Sequence, residues 1–339
     1  MATQGQPANR WTDALLQLFD EVTKGKTLPE GSHYPFPRYP QVSLSTPYGF
    51  NLLGSANNAA ILPHLFHTDD LPYEPLITFL SLMMSRTGGA YLDIGANIGY
   101  FSLLAAFSAA QPLDIHAFEP SAANFRFLRE NIRRNGLEGQ IHPYAIGLGD
   151  TDSTADLSAY GTGSSFVRGW DGGVGDEQGM ESVIVKPLDR LFRRGELPYP
   201  TVVKIDVEGF ELPVMRGGAG VLSHENVAAV ICEISHGPHP GGYNSAAAET
   251  VALLEEYGFT CLGMKGSAPA SADSENAAMA PASEFSPEDT DKWPGAWLCL
   301  RPTCEMHDLI LSAVPLFEVF LQLYPMPAAS LRQAIADLV

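Results

Sequence analysis

The chain has 339 residues, 45% of them hydrophobic, enough to bury a full core in one large domain with appendages. Its formal net charge of −19 opposes association with nucleic acid or an anionic membrane surface, both of which demand a basic footprint. Residues 1–10 lack a signal-type apolar core, and no window reaches the roughly 18 apolar residues of a membrane span, so a cytoplasmic protein without a membrane partner is expected.

Trp11 to Lys24 carries apolar residues at helical spacing and predicts a short amphipathic helix. Dense prolines from Pro29 to Pro47 predict an extended wrapping segment, followed by a hairpin over Val42 to Leu53 and a helix over Leu76 to Met84. From Tyr91 onward strands and helices alternate. Strands are expected near Tyr91–Ile94, Ile115–Phe118, Ile141–Ala145, Val202–Ile205, Ala228–Cys232, Thr260–Met264 and Ala296–Leu300, with helices over Ile98–Ala110, Ala122–Asn135 and Ala246–Tyr257. This is the pattern of a doubly wound α/β sheet.

The alternation breaks between Gly147 and Pro200, which is read as a variable loop region, functional or disordered as loops of this length usually are. Residues 265–292, rich in Ala, Ser, Pro and Glu, are read as a flexible insertion between two strands that form a terminal antiparallel pair. Val314–Tyr324 and Leu331–Val339 read as C-terminal helices whose apolar stripe serves packing or a homodimer face. The chain thus divides into an N-terminal helical and extended segment (1–84), a core domain (85–302) and C-terminal helices (303–339). Four cysteines, Cys232, Cys261, Cys299 and Cys304, show no paired metal-ligand spacing; the first three lie in apolar runs where a thiol packs as a small hydrophobe, which suits a reducing compartment.

The stretch Asp93 to Ser102 joins an apolar strand, an acid, a glycine turn and an amphipathic helix. Gly95 permits the tight reversal, Gly99 permits close helix packing, and the helix N-terminus is expected to offer free N–H groups to an anion. A dinucleotide fingerprint needs a third glycine where Asn97 stands, and Asp93 would repel a pyrophosphate. The pair suits a zwitterionic amino acid instead, with Asp93 facing its ammonium, and S-adenosylmethionine presents that group. Glu119, at the end of the next strand, is placed to accept both ribose hydroxyls.

Asp93 to Ser102, Phe118-Glu119-Pro120 with Asn124, Leu128, Asn131 and Asn135 on the helix that follows, and Lys204 to Glu211 together resemble the FkbM family of S-adenosylmethionine-dependent methyltransferases, as does the Tyr73-Glu74-Pro75 block upstream. The resemblance covers roughly Tyr73 to Met264. Departures are Phe210 where a small residue is usual, Pro213 in the next helix, and the long flanks. The resemblance implies a mostly parallel seven-stranded sheet of the class I (Rossmann-like) methyltransferase type. It also implies a cofactor set of Asp93, Gly95, Ala96, Asn97, Gly99, Glu119, Pro120, Asn124 and Ala145, and a hydroxyl on a sugar or secondary metabolite as acceptor.

Ligands of open α/β sheets lie beyond the carboxyl ends of the strands, where Asp93, Glu119, Asp206, Glu208 and Glu233 stand. Asp206 is the expected acceptor-side carboxylate, joined by Glu208, and His236 is the candidate base because its reference pKa lies near neutrality. Asp206, Glu208 and Glu233 are also hard oxygen ligands of the kind Mg²⁺ takes, and the residues leave metal and direct base chemistry both open. Lys204 reads as an ion-pair partner for a neighbouring carboxylate. A cofactor-binding scaffold without turnover and a nicotinamide oxidoreductase are the competing readings.

Overall fold

A computed structural model describes residues 42–54, 61, 73–158, 163–168, 179–193, 195, 197–234, 246–264, 279–285, 293–302, 304 and 310, all within the compact unit Arg38–Val339. The expected helix over Trp11–Lys24, His236 and the two C-terminal helices lie outside the described residues.

The main sheet is built from β3 (Gly89–Ile94), β4 (Leu113–Phe118), β5 (Ile141–Tyr144), β9 (Val202–Ile205), β10 (Ala229–Glu233), β11 (Thr260–Met264), β12 (Met279–Pro281) and β13 (Ala296–Leu300). Their spatial order is β12-β11-β13-β10-β9-β3-β4-β5. Strands β5, β4, β3, β9 and β10 pair in parallel, and β13 is antiparallel to both β10 and β11. From β3 the chain winds outward through β4 and β5, then returns to the other side of β3 as β9. The topological switch point is therefore between β3 and β9, where ligands of such sheets bind.

Two expectations change in detail. The sheet has an eighth strand: β12 pairs antiparallel with β11, and the turn after it buries Phe285 edge-on against Trp297, ring centroids 5.4 Å apart. This part of 265–292 is therefore structure, and it covers an edge that would otherwise expose unpaired backbone. Within Gly147–Pro200, β6 (Gly147–Leu148), β7 (Ser153–Ser158) and β8 (Met180–Lys186) form a separate three-stranded sheet, followed by helix α4 (Leu188–Arg193).

Period-2 alternation sorts the sheet's side chains onto two faces. Tyr91, Ile115 and Ile231 pack under α1 (Pro75–Met84), α2 (Tyr100–Ser108) and α3 (Ala122–Arg134). Leu92, Ile94, Val203 and Ile205 pack under α4, α5 (Glu211–Gly217), α6 (Ala219–Leu222) and α7 (Ala247–Glu256). The hairpin β1 (Val42–Ser45) and β2 (Asn51–Gly54) joins the first core through Phe50 and Leu52. It is held by amide side chains of α3. Asn131, fully buried, accepts from the Leu53 N–H at 2.7 Å and donates to the Leu53 carbonyl at 2.9 Å, while Asn135 exchanges the same two bonds with Asn51 at 2.9 and 2.8 Å. Asn131 also donates to the Ile98 carbonyl at 2.8 Å, so one side chain ties the hairpin to the glycine turn.

Cys261 and Cys299, expected as packing thiols, stand opposite one another on β11 and β13 and form a disulfide. Cys232 is buried and free, and Cys304 is free and half-buried.

Candidate active site

At the switch point the turn after β3 runs against the end of β9. Gly95 adopts φ +80, and a Cβ there would lie 1.7 Å from the Asp206 carbonyl oxygen, so only glycine lets the two segments touch. The amides of residues 95–99 in this turn are all engaged within the protein. Those of Gly95 and Ala96 donate to the Phe118 carbonyl at 3.0 and 2.9 Å, that of Asn97 to Glu119 Oε2 at 2.8 Å, that of Ile98 to Asn97 Oδ1 at 2.8 Å, and that of Gly99 to the Ala96 carbonyl at 2.8 Å. A pyrophosphate would find no donors among them.

Glu119 follows the last residue of β4 and faces the cleft. Its other oxygen accepts from the Ser121 N–H at 2.8 Å, and the Asn124 side chain adds a third bond. Burial nonetheless pushes its carboxyl up to about 7, against the lowering effect of those bonds. A carboxylate offers about four lone-pair positions. Three are taken by protein donors, which leaves acceptor capacity toward a ribose hydroxyl.

The cleft is lined by Gly95, Asn97, Glu119, Pro120 and Asn124 on one side and by Asp206, Val207 and Glu208 on another. Leu157, Ser164 and Phe166, from β7 and the segment after it, form the third wall. Phe166 packs on Phe210 with ring centroids 4.8 Å apart, and Ser165 Oγ donates to the Glu208 carbonyl at 2.6 Å. Phe210, the bulky departure noted in the sequence, thus backs this wall. The cavity is about 50 Å³, room for on the order of one or two waters and smaller than a nucleoside.

Several expected cofactor residues lie elsewhere. Ala145 is exposed and lines an outer groove beside α3, while Ile146, Gly147 and Leu148 line the cleft. Ala96 is buried behind the turn, and Gly99 packs against Leu128. Asp93 is wholly buried and does not line the cleft. It is the penultimate residue of β3, opposite Lys204 in register, so its side chain points under α2 instead of past the strand end. Ser102 Oγ donates to its Oδ2 at 2.5 Å, Lys204 Nζ stands 3.9 Å from Oδ1, and Oδ1 has no hydrogen-bond partner among the described residues. Burial raises its pKa, and Lys204 and Ser102 oppose the rise.

Lys204 is 2% exposed, donates to Asp206 Oδ2 at 2.9 Å and lies 4.5 Å from the Phe101 ring centroid. Burial opposes its charge, but Asp206, Asp93 and Glu74 together raise its pKa, so the ammonium persists. Around it the structure gathers a carboxylate group that differs from the expected one. Oxygens of Glu74, Asp206 and Glu233 all lie within 4.8 Å of one another, with Glu74 in the place expected for Glu208. Glu74 precedes α1 and belongs to the Tyr73-Glu74-Pro75 block, the one sequence signal that could have marked it. The non-glycine residues with positive φ among those described are Glu74 (42), Asn97 (53) and Glu208 (51), all at this site. Strained backbone of this kind persists where the surroundings fix it, as at ligand sites.

Residues 93–261 match the methyltransferase FkbM domain family. Hexuronic acid methyltransferase AglP of Haloferax volcanii is 32% identical over 180 residues, which cover 50% of this chain and 66% of that protein, just under two thirds of its length. The 31-O-demethyl-FK506 methyltransferase FkbM of Streptomyces tacrolimicus is 27% identical over 203 residues, covering 52% of this chain and 74% of the relative. Among solved structures, methyltransferase FkbM from Methylobacillus flagellatus KT aligns with 15% identity and a TM-score of 0.41, covering 72% of this chain and 55% of that one.

Proposed function

We propose that this chain, whose residues 93–261 match the methyltransferase FkbM domain family, transfers a methyl group from S-adenosylmethionine to a hydroxyl of a small molecule, a sugar or a secondary metabolite. The observation that carries this reading is the cleft between Glu119 and Asp206, each one residue past a parallel strand on either side of the switch strand β3. The donor set fits a nucleoside: Glu119 for a ribose hydroxyl, Pro120 and Leu148 for apolar contact, and a turn whose amides leave nothing for a pyrophosphate.

S-adenosylmethionine, when bound, supplies an electrophilic methyl group. The residues here align, shield and deprotonate the acceptor. Asp206 lines the cleft and also belongs to the acid group behind it, so it marks the acceptor side. An oxygen acceptor is supported by the second relative, whose substrate by name lacks a methyl group on an oxygen, and a sugar by the first, named for hexuronic acid. Mg²⁺ fits less well. Lys204 already supplies a cation to Asp206 at 2.9 Å, and a divalent ion there would meet its like charge.

The cytoplasmic location expected from composition belongs to the same reading, although the Cys261–Cys299 disulfide speaks for an oxidising one. No helix among the described residues is long and apolar enough to cross a membrane. The test of function is incubation with S-adenosylmethionine and a metabolite extract. A methylated hydroxyl compound formed together with S-adenosylhomocysteine is expected, and cofactor binding without product would favour the scaffold reading.

A further inference from the structure

We infer that Glu74 is the catalytic residue that takes the proton of the acceptor hydroxyl, with Asp206 orienting that hydroxyl beside it; the inference rests on the methyl-transfer reading above. Asp206 Oδ2 is already engaged by Lys204 Nζ at 2.9 Å, so its lone pairs face a fixed cation. Glu74 differs in that its Oε2 is shielded from solvent and has no hydrogen-bond partner among the described residues. An unpaired buried carboxylate oxygen is costly unless a ligand completes it. The backbone at Glu74 adopts φ 42, unfavourable for any residue with a Cβ, and this places the carboxylate within 4.8 Å of Asp206, a residue that itself lines the cleft. An acceptor hydroxyl lying against Asp206 is therefore within reach of Glu74.

The groups facing Glu74 are Tyr73 beside it, Lys204 and Asp206 at the end of β9, and Glu233 at the end of β10, with Glu208 acting on Glu233. Burial pushes the Glu74 carboxyl up to about 7, Asp206 adds to the rise, and Lys204 and Tyr73 oppose it. Glu233 is raised well above its ordinary value, by burial first and then by Asp206, Glu74 and Glu208. Two carboxyls this close each raise the other, so Glu233 is the positioning residue that keeps the Glu74 carboxyl high. In the step, the acceptor oxygen bonds to the methyl carbon while the carbon–sulfur bond breaks with its electron pair left on sulfur. The hydroxyl proton passes to Glu74. The sulfonium and carboxylate charges vanish together, leaving a thioether, a methyl ether and a carboxylic acid.

The test begins with ligand-free protein carrying ¹³C-carboxyl glutamate, titrated by NMR. Glu119 and Glu74 should both titrate near neutrality; Glu74→Gln should remove one of these signals, and Glu233→Gln should move the same signal down. With S-adenosylmethionine and the acceptor extract, Glu74→Gln should lower kcat by about 10²- to 10⁴-fold and abolish the near-neutral limb of its pH profile. Calorimetric affinity for S-adenosylhomocysteine should stay at the parental value. Glu74→Asp keeps a titrating carboxyl but withdraws it, so it should bind cofactor normally and turn over slowly; it covers the case in which Glu74→Gln does not fold. Parental turnover in either variant, a Glu74 carboxyl fully ionised well below neutrality, or activity lost to a chelator and restored by Mg²⁺ would overturn the assignment. A parent protein that binds no S-adenosylhomocysteine sinks the cofactor reading instead, and the carboxyl titration still judges Glu74.

Discussion

The Asn97 N–H donates to Glu119 Oε2 across 2.8 Å, joining the turn after β3 to the end of β4. This bond fixes the carboxylate at the cleft in a buried site, where its ionised form is held by backbone donors and opposed by desolvation.

Affinity for S-adenosylhomocysteine should therefore depend on pH through Glu119. A ribose hydroxyl donates to the ionised carboxylate, so binding strengthens as pH rises through about 7 and weakens below it by up to tenfold per pH unit. Calorimetry across neutrality checks this, and Glu119→Gln should flatten the dependence. The carboxyl's raised folded-state pKa also means that its contribution to stability is greatest in acid and is lost as pH rises through about 7.

Asn131→Ala should destabilise the fold by about 3 kcal/mol, since it strips partners from the Leu53 N–H, the Leu53 carbonyl and the Ile98 carbonyl in a fully buried place. Denaturant unfolding measures the loss. A change within about 0.5 kcal/mol, the range of surface substitutions, would mean that water replaces the side chain.

Lys204→Met should cost about 3 to 5 kcal/mol at neutral pH, because it leaves Asp93 and Asp206 without their ammonium. Part of the loss should return in mild acid, as the buried Asp93 carboxyl takes up a proton. A variant as stable as the parent at neutral pH would show that Asp93 is already protonated there.

Thiol titration of the denatured, unreduced protein tests the β11–β13 bridge. Cys232 and Cys304 should react, and Cys261 and Cys299 only after reductant. Reaction of all four without reductant would restore the packing-thiol reading and a reducing compartment.

Much of the main sheet is legible in the sequence because its strands are short apolar runs separated by helical periodicity, and the acids mark their carboxyl ends. Which acid reaches the cleft depends on a single residue of register. Asp93 falls inside β3 and shares a sheet face with Lys204, whereas Glu119 and Asp206 fall just past Phe118 and Ile205 and extend into the cleft. One more residue of strand at β4 or β9 would have turned those side chains into the core as well. Glu74 is hidden for another reason. It lies outside the alternating segments, before α1, and only the fold brings it to Asp206 and Glu233. The sheet β6-β8-β7 escaped because the glycine-rich residues near it look like loop, while the pairing of β7 with β8 spans residues distant in the chain.

The central claim is that the cleft between Glu119 and Asp206 holds S-adenosylmethionine. Calorimetric titration of the parent and of Glu119→Ala with S-adenosylhomocysteine, at a pH above 7, tests it most directly. One site per chain is predicted in the parent, with affinity lowered about tenfold or more in the variant, the loss expected when a charged hydrogen-bond partner is removed. No heat of binding in the parent, or equal affinity in both proteins, would contradict it.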